Sequence, residues 1–238
     1  SMNETFLRTE MLLGAEAMDR LTHAHVAVVG LGGVGGYVVE GLARSGIGRL
    51  TLIDHDTIGE SNLNRQLGAL HSTLGVSKAD ALAARVRDIN PACGVTPLSF
   101  RYSAETREEL FSLHPDFIVD AIDLVKHKLD LIATALEREI PIISALGTGN
   151  KLEGGGLLIT DISKTYNCPL AKVIRKELRK RGINHHLVLY SPEEKKRAEQ
   201  LEEPPEGRRS IPGSVVWVPG CAGLMIAGEV VLRLAKLK

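Results

Sequence analysis

Apolar residues in this chain follow two alternating patterns. Short runs of consecutive apolar positions, most of them closed by glycine or an acid, alternate with stretches where apolar residues return every three or four positions. The first pattern reads as buried strand and the second as helix with one buried side. The runs predict strands at 25–29, 50–53, 94–100, 116–122, 141–145, 157–161 and 186–190. The helical spacing predicts helices over 5–21, through Tyr37, Val38 and Leu42, from Ser77 onward, and over 104–113, 129–138, 170–181 and 222–236. Strands separated by helices at this spacing predict an α/β chain with a doubly wound, mainly parallel, Rossmann-like sheet. The helix over 5–21 is expected to bury Phe6, Met11, Leu12, Ala15, Met18 and Leu21. That over 170–181 is expected to bury Leu170, Val173, Ile174 and Leu178, and the last one Leu224, Ala227, Val231 and Leu234.

The first strand runs straight into Gly30-Leu31-Gly32-Gly33-Val34-Gly35. Glycines there let the backbone turn tightly and approach a phosphate, and the helix N-terminus that follows adds bare N–H groups and partial positive charge. Asp54 ends the second strand, where a carboxylate accepts hydrogen bonds from a ribose. So far any mononucleotide or dinucleotide fits. Further along stand Asn62, Arg65, Gln66, Lys78 in the first turn of a helix, and Asp123 just past the fourth strand. Lysine at a helix N-terminus opposes the dipole, a local conflict of the kind found where function needs the charge. Gly30, Asp54 and Asp123 all fall at carboxyl ends of strands, the side on which doubly wound sheets bind ligands. Hydride transfer has no evident use for Arg65, Lys78 and Asp123 at one mouth. A triphosphate with magnesium does, because cations neutralise phosphate oxygens and a carboxylate holds the metal.

Organisation follows from where the pattern fades. The reading is one domain over 1–238, with a nucleotide-binding core at 1–150 and a substrate-side half at 151–238. Residues 191–213 lose periodicity, are charged and carry Pro192, Pro204 and Pro205, which predicts a mobile loop. Lys plus Arg and Asp plus Glu number 29 each, so any attraction to a polyanion must be local. The basic side of the helix over 170–181, Lys172, Arg175, Lys176 and Arg179, is one candidate patch for a nucleic-acid backbone; an ordinary solvated face is the alternative. The three cysteines, Cys93, Cys168 and Cys221, are far apart and suit a reducing cytosol, with no CxxC pair for zinc. Cys221 is expected in the core, and His185-His186 lacks a third ligand at metal-binding spacing. Ser1 ahead of Met2 reads as a tag remnant with no secretory leader after it. The most apolar stretch, 215–234, is interrupted by Pro219, Glu229 and Arg233.

As a set, GLGGVGG, LIDHDTI, SNLNRQ, the helix opening at Ser77-Lys78 and DAID resemble the ubiquitin-activating-like superfamily of ThiF, MoeB and HesA. That resemblance implies an adenylation fold in which Gly30, Gly32, Gly33, Gly35, Asp54, Asn62, Arg65, Gln66 and Lys78 bind ATP. It implies Asp123 as the Mg²⁺ ligand, Arg65, Lys78 and Asp123 as the catalytic set, and a homodimer in which Arg8 reaches the partner subunit's phosphates. The segment 161–170, with GIGRLTLID and RDINP, resembles the branch that dehydrates threonylcarbamoyladenosine in tRNA. The implied reaction adenylates the threonyl carboxylate at the expense of ATP, after which the carbamoyl group closes a ring. Cys168 stands where that branch is expected to carry Asp. Cytoplasmic location is implied, with membrane association and sulfurtransferase-type partners in some relatives. Two other classes remain open: activation of a ubiquitin-like sulfur carrier, disfavoured by the missing CxxC pairs, and a non-catalytic nucleotide-binding module.

Overall fold

The computed structural model describes residues 4–238, so Ser1 and Met2 lie outside it. Seven strands form one sheet: β1 (His25–Val29), β2 (Arg49–Ile53), β3 (Gly94–Leu98), β4 (Phe117–Asp120), β5 (Ile142–Ala145), β6 (Leu158–Asp161) and β7 (Leu187–Tyr190), in the order β3-β2-β1-β4-β5-β7-β6. All neighbours are parallel except β6, which runs antiparallel to β7 at the edge. The helices are α1 (Leu7–Leu13), α2 (Ala15–Thr22), α3 (Gly35–Ala43), α4 (Lys78–Ile89), α5 (Arg107–Phe111), α6 (Val125–Glu137), α7 (Pro169–Lys180) and α8 (Trp217–Leu234). β1 shows why both faces are covered. Val26 and Val28 join the core beneath α2, α3, α4 and α8, while Ala27 and Val29 join the one beneath α5, α6 and α7. Alternate residues point to opposite faces, so a strand apolar at every position needs helices on both sides.

Three expectations change. The helix over 5–21 is broken at Gly14, whose φ of 91° ends α1 before α2 begins. The break turns Met11 and Leu12 outward, 73% and 88% exposed, while Phe6, Ala17 and Leu21 stay buried. The last helix begins at Trp217 rather than 222, because Pro219 sits in its first turn, where a missing N–H costs nothing. There it lies tight against α3: a Cβ on Gly223 would stand 2.5 Å from the Val34 carbonyl oxygen. Leu224 and Val173 face solvent instead of packing inward. Among the described residues α8 is the one helix long and apolar enough to cross a bilayer, yet its apolar side is spent on α3 and the sheet. Glu229 within it is buried and paired with Arg233 and Lys238, each at 2.7 Å.

Candidate functional site

The order of the strands reverses between β1 and β4, and a cavity of about 640 Å³ opens at their carboxyl ends. Its floor is the glycine turn. Gly30 has φ 93°, and a Cβ there would stand 2.4 Å from the Ala121 carbonyl oxygen; one on Gly35 would overlap the Gly30 oxygen at 1.8 Å. The turn therefore tolerates no side chain at either place, and α3 starts at the cavity without a side-chain cap. Its first-turn amides are left for an anion.

Asp54 is half-buried and binds the turn itself: its carboxylate accepts from the Leu31 amide and from the Asp56 amide, both at 2.8 Å. Each oxygen keeps a further lone pair for a ligand hydroxyl. Lys78 is buried at the start of α4, which Ser77 caps by accepting from the Asp80 amide. Two contacts hold it at the cavity: its backbone N–H donates to the Asp56 carbonyl, and its ammonium lies 3.9 Å from the Asp56 carboxylate. Arg65 and Gln66 also line the cavity, with Arg65 steadied by the Ser61 carbonyl and the Asn64 side chain. Asp123 stands exposed on the rim between β4 and α6.

Two predicted residues stand elsewhere. Asn62 is not among the cavity-lining side chains; its Oδ1 accepts from the Gly59 amide at 2.8 Å and folds the short turn that presents Arg65. Arg8 is exposed on α1, an element that packs near Gly46 and Asn90 at the amino end of the sheet, away from its own cavity. Of the proposed basic face, Arg175 is held: its guanidinium donates to the Thr165 hydroxyl at 2.7 Å and to the Thr165 carbonyl. Lys172, Lys176 and Arg179 are exposed. Cys168 is buried, and its sulfur accepts from the Ala171 amide as the N-cap of α7, the task an aspartate commonly performs. Cys221, expected in the core, is exposed, because α8 turns its side chain away from α3.

Other residues emerge only in three dimensions. Under the rim Lys128 is wholly buried. Its ammonium lies 3.0 Å from Asp120 and donates to the carbonyls of Ile122 and Ala145, joining the ends of β4 and β5. Ser144 donates to Asp120 at 2.6 Å and lies 2.7 Å from His186 Nε2. Burial raises the Asp120 carboxyl despite the charge of Lys128. The same burial, with Lys128 nearby, lowers His186 to about 3, so its imidazole is neutral. Arg101, Lys195 and Arg208 add three cations to the cavity wall. Asp54, His55 and Asp56 bring their ligand atoms within 4.8 Å of one another on the same wall, so acids and cations both face the cavity. That donor set fits a magnesium–nucleotide.

A glycine-floored cavity at the switch point of a doubly wound sheet defines a nucleotide-binding α/β protein. The ThiF family matches residues 6–237, and the chain belongs to it. It is 42% identical to the tRNA threonylcarbamoyladenosine dehydratase of Bacillus subtilis, over 99% of this chain and 96% of that one. A crystal structure of the E. coli tRNA N6-threonylcarbamoyladenosine dehydratase in complex with AMP superposes with a TM-score of 0.89 at 31% identity, covering 98% of this chain and 95% of that one. The same E. coli enzyme in complex with ATP gives 0.85 at 31% identity, over 99% and 96%.

Proposed function

We propose that this chain is an ATP-dependent dehydratase acting on threonylcarbamoyladenosine in tRNA. The observation that carries the reading is full-length likeness to that enzyme combined with a cation-lined cavity at the switch point. A threonyl carboxylate oxygen attacks the α-phosphorus; the new P–O bond forms as the α–β bridging P–O bond breaks and pyrophosphate leaves. The carbamoyl group then attacks the activated carbonyl, and the carboxylate oxygen departs with AMP, so the nucleoside loses the elements of water. Magnesium, when bound, supplies charge neutralisation on the phosphates.

The chain's own residues do the rest. The Gly30–Gly35 amides and the α3 N-terminus receive phosphate oxygens, and Asp54 accepts from the ribose while fixing the turn. Arg65, Gln66 and Lys78 hold the phosphates and stabilise charge growing at phosphorus. Asn62 acts through the turn it folds, and Asp123 would hold magnesium at the rim, where the ion would neutralise phosphate charge. Arg8 completes the partner subunit's site in a homodimer; the exposed Met11 and Leu12 beside it supply apolar surface for such an interface. Cytoplasmic tRNA is the substrate pool we assign.

The test is incubation of the purified protein with tRNA bearing threonylcarbamoyladenosine, ATP and Mg²⁺, followed by nucleoside mass spectrometry. The nucleoside should lose one water mass with stoichiometric AMP. ATP turnover with an unchanged nucleoside would overturn the reading. Light scattering should show a dimer, and a fully active monomer at micromolar concentration would remove the role given to Arg8.

A further inference from the structure

Residues 191–213 form neither helix nor strand, yet they are fastened to the body in several places. At the start, the Glu193 carboxylate accepts from the amides of Leu152 and Glu153, and the Lys196 amide donates to the Asn150 carbonyl. At the end, Asn150 accepts from and donates to the backbone of Gly213, and the Asn64 side chain donates to the Ser214 carbonyl. In between, Gln200 brackets the backbone of Ile211 with two hydrogen bonds, at 2.8 and 3.0 Å. The strap therefore runs along the cavity mouth from the turn after β5 to the loop that carries Arg65.

Its charges are sorted. The strap contains six glutamates against five lysines and arginines, so by composition it should repel a polyanion slightly. Of those eleven groups only Lys195 and Arg208 line the cavity, and none of the glutamates does. Both cations are exposed, and among the described residues neither makes an ion pair. The cavity, of about 640 Å³, must take ATP together with the reacting arm of the tRNA nucleoside. A tRNA nucleoside reaching it must therefore leave its flanking phosphates outside, at the rim. The phosphates of ATP have Arg65, Lys78 and the α3 N-terminus deeper in.

We propose that Lys195 and Arg208 are substrate-positioning residues: they receive the tRNA phosphates flanking the target adenosine and so admit that nucleoside to the cavity. This rests on the dehydratase reading. Two double variants of the full-length protein test it, Lys195→Ala/Arg208→Ala and Lys196→Ala/Arg209→Ala. The second pair removes equal charge from the same strap but from side chains that do not line the cavity. For each, tRNA affinity is measured across a salt series, ATP affinity by calorimetry, and conversion alongside wild type. The first variant should bind tRNA about tenfold more weakly at low salt, with the slope of log K against log salt shallower by about 1.5, two phosphate contacts' worth. Its KM for tRNA should rise while ATP affinity stays within about twofold. The second should change tRNA affinity less than about threefold. Equal losses in both pairs, unchanged tRNA binding in the first, or a selective loss of ATP affinity would each overturn the proposal. Wild-type protein that fails to convert tRNA overturns the dehydratase reading instead, whatever the variants do.

Discussion

The two walls of the cavity are built on different principles. On the β1–β2 side every charged group is held by something else: Asp54 by two backbone amides, Lys78 by burial and Asp56, Arg65 by Ser61 and Asn64. On the strap side the backbone is fastened while the cations, Lys195 and Arg208, stand exposed at the ends of long side chains. Fixed charges suit a transition state of one geometry, because no reorganisation is needed as charge develops. Loose cations suit a flexible polyanion met in many orientations, where the gain is in capture. The contrast between these two walls lies less in charge count than in how firmly each charge is held.

The largest effect is expected from removing the buried support under the rim, at the ends of β4 and β5. Lys128→Met leaves Asp120 buried without its partner and should cost about 3–5 kcal/mol of folding stability. Adding Asp120→Asn should restore much of it; denaturant unfolding of the single and double variants reads the difference, and a single variant as stable as wild type would show the pair to be dispensable. Next come two groups given roles in the chemistry, Lys78 on the fixed wall and Asp123 on the exposed rim between β4 and α6. Lys78→Ala and Asp123→Ala should each lower AMP formation at least ~100-fold with a smaller loss in ATP binding. Near-normal turnover in either would move that residue out of the chemistry.

A smaller effect concerns pH. His186 is neutral when folded, with a pKa of about 3, against 6.5 when unfolded. The unfolded chain therefore binds the extra proton, and His186's contribution is present above pH 6.5 and is lost as pH falls toward 3. The slope is up to about 1.4 kcal/mol per pH unit. Asp120, raised by the same burial, acts in the opposite sense, so the difference between wild type and His186→Gln isolates the histidine. Parallel stability–pH curves for the two proteins would remove it. The smallest effects belong to loosely held parts. Replacing Lys172, Lys176 and Arg179 together should flatten the tRNA salt slope slightly and leave ATP affinity unchanged; an unchanged slope marks an ordinary solvated face. Arg175 is left out because it holds Thr165. Amide exchange should be slow at Lys196, Ile211 and Gly213 and fast across 201–206, and uniform exchange over the strap would dissolve its anchors.

What the sequence revealed follows the same divide. The sheet, the glycine turn and the positions of Asp54, Lys78 and Asp123 at element ends were legible because each depends on local pattern: an apolar run, a glycine spacing, a helix cap. Lys128 was not, since one lysine in an amphipathic helix looks like any other until β4 and β5 deliver two carbonyls and a carboxylate to it. Lys195 and Arg208 lay hidden in a segment whose charges nearly cancel, and only contacts from Asn150, Gln200 and Glu193 decide which face the cavity. The error at 5–21 had one cause, a positive-φ glycine read as helix interior. At Cys168, where the resembled branch is expected to carry aspartate, the sulfur accepts the capping bond, a substitution whose effect the sequence alone does not show.

The fastening of the strap bears on how this protein can change. The stretch 201–210 is closed by a single glutamine clasp between Gln200 and Ile211. Lengthening a flexible loop raises its closure cost only logarithmically, about 0.6 kcal/mol for each doubling. Insertions inside the clasp therefore leave the Asn150 attachments and the adenylating wall untouched. Here descendants of this fold can gain or lose chain and try new RNA contacts while their chemistry stays constant.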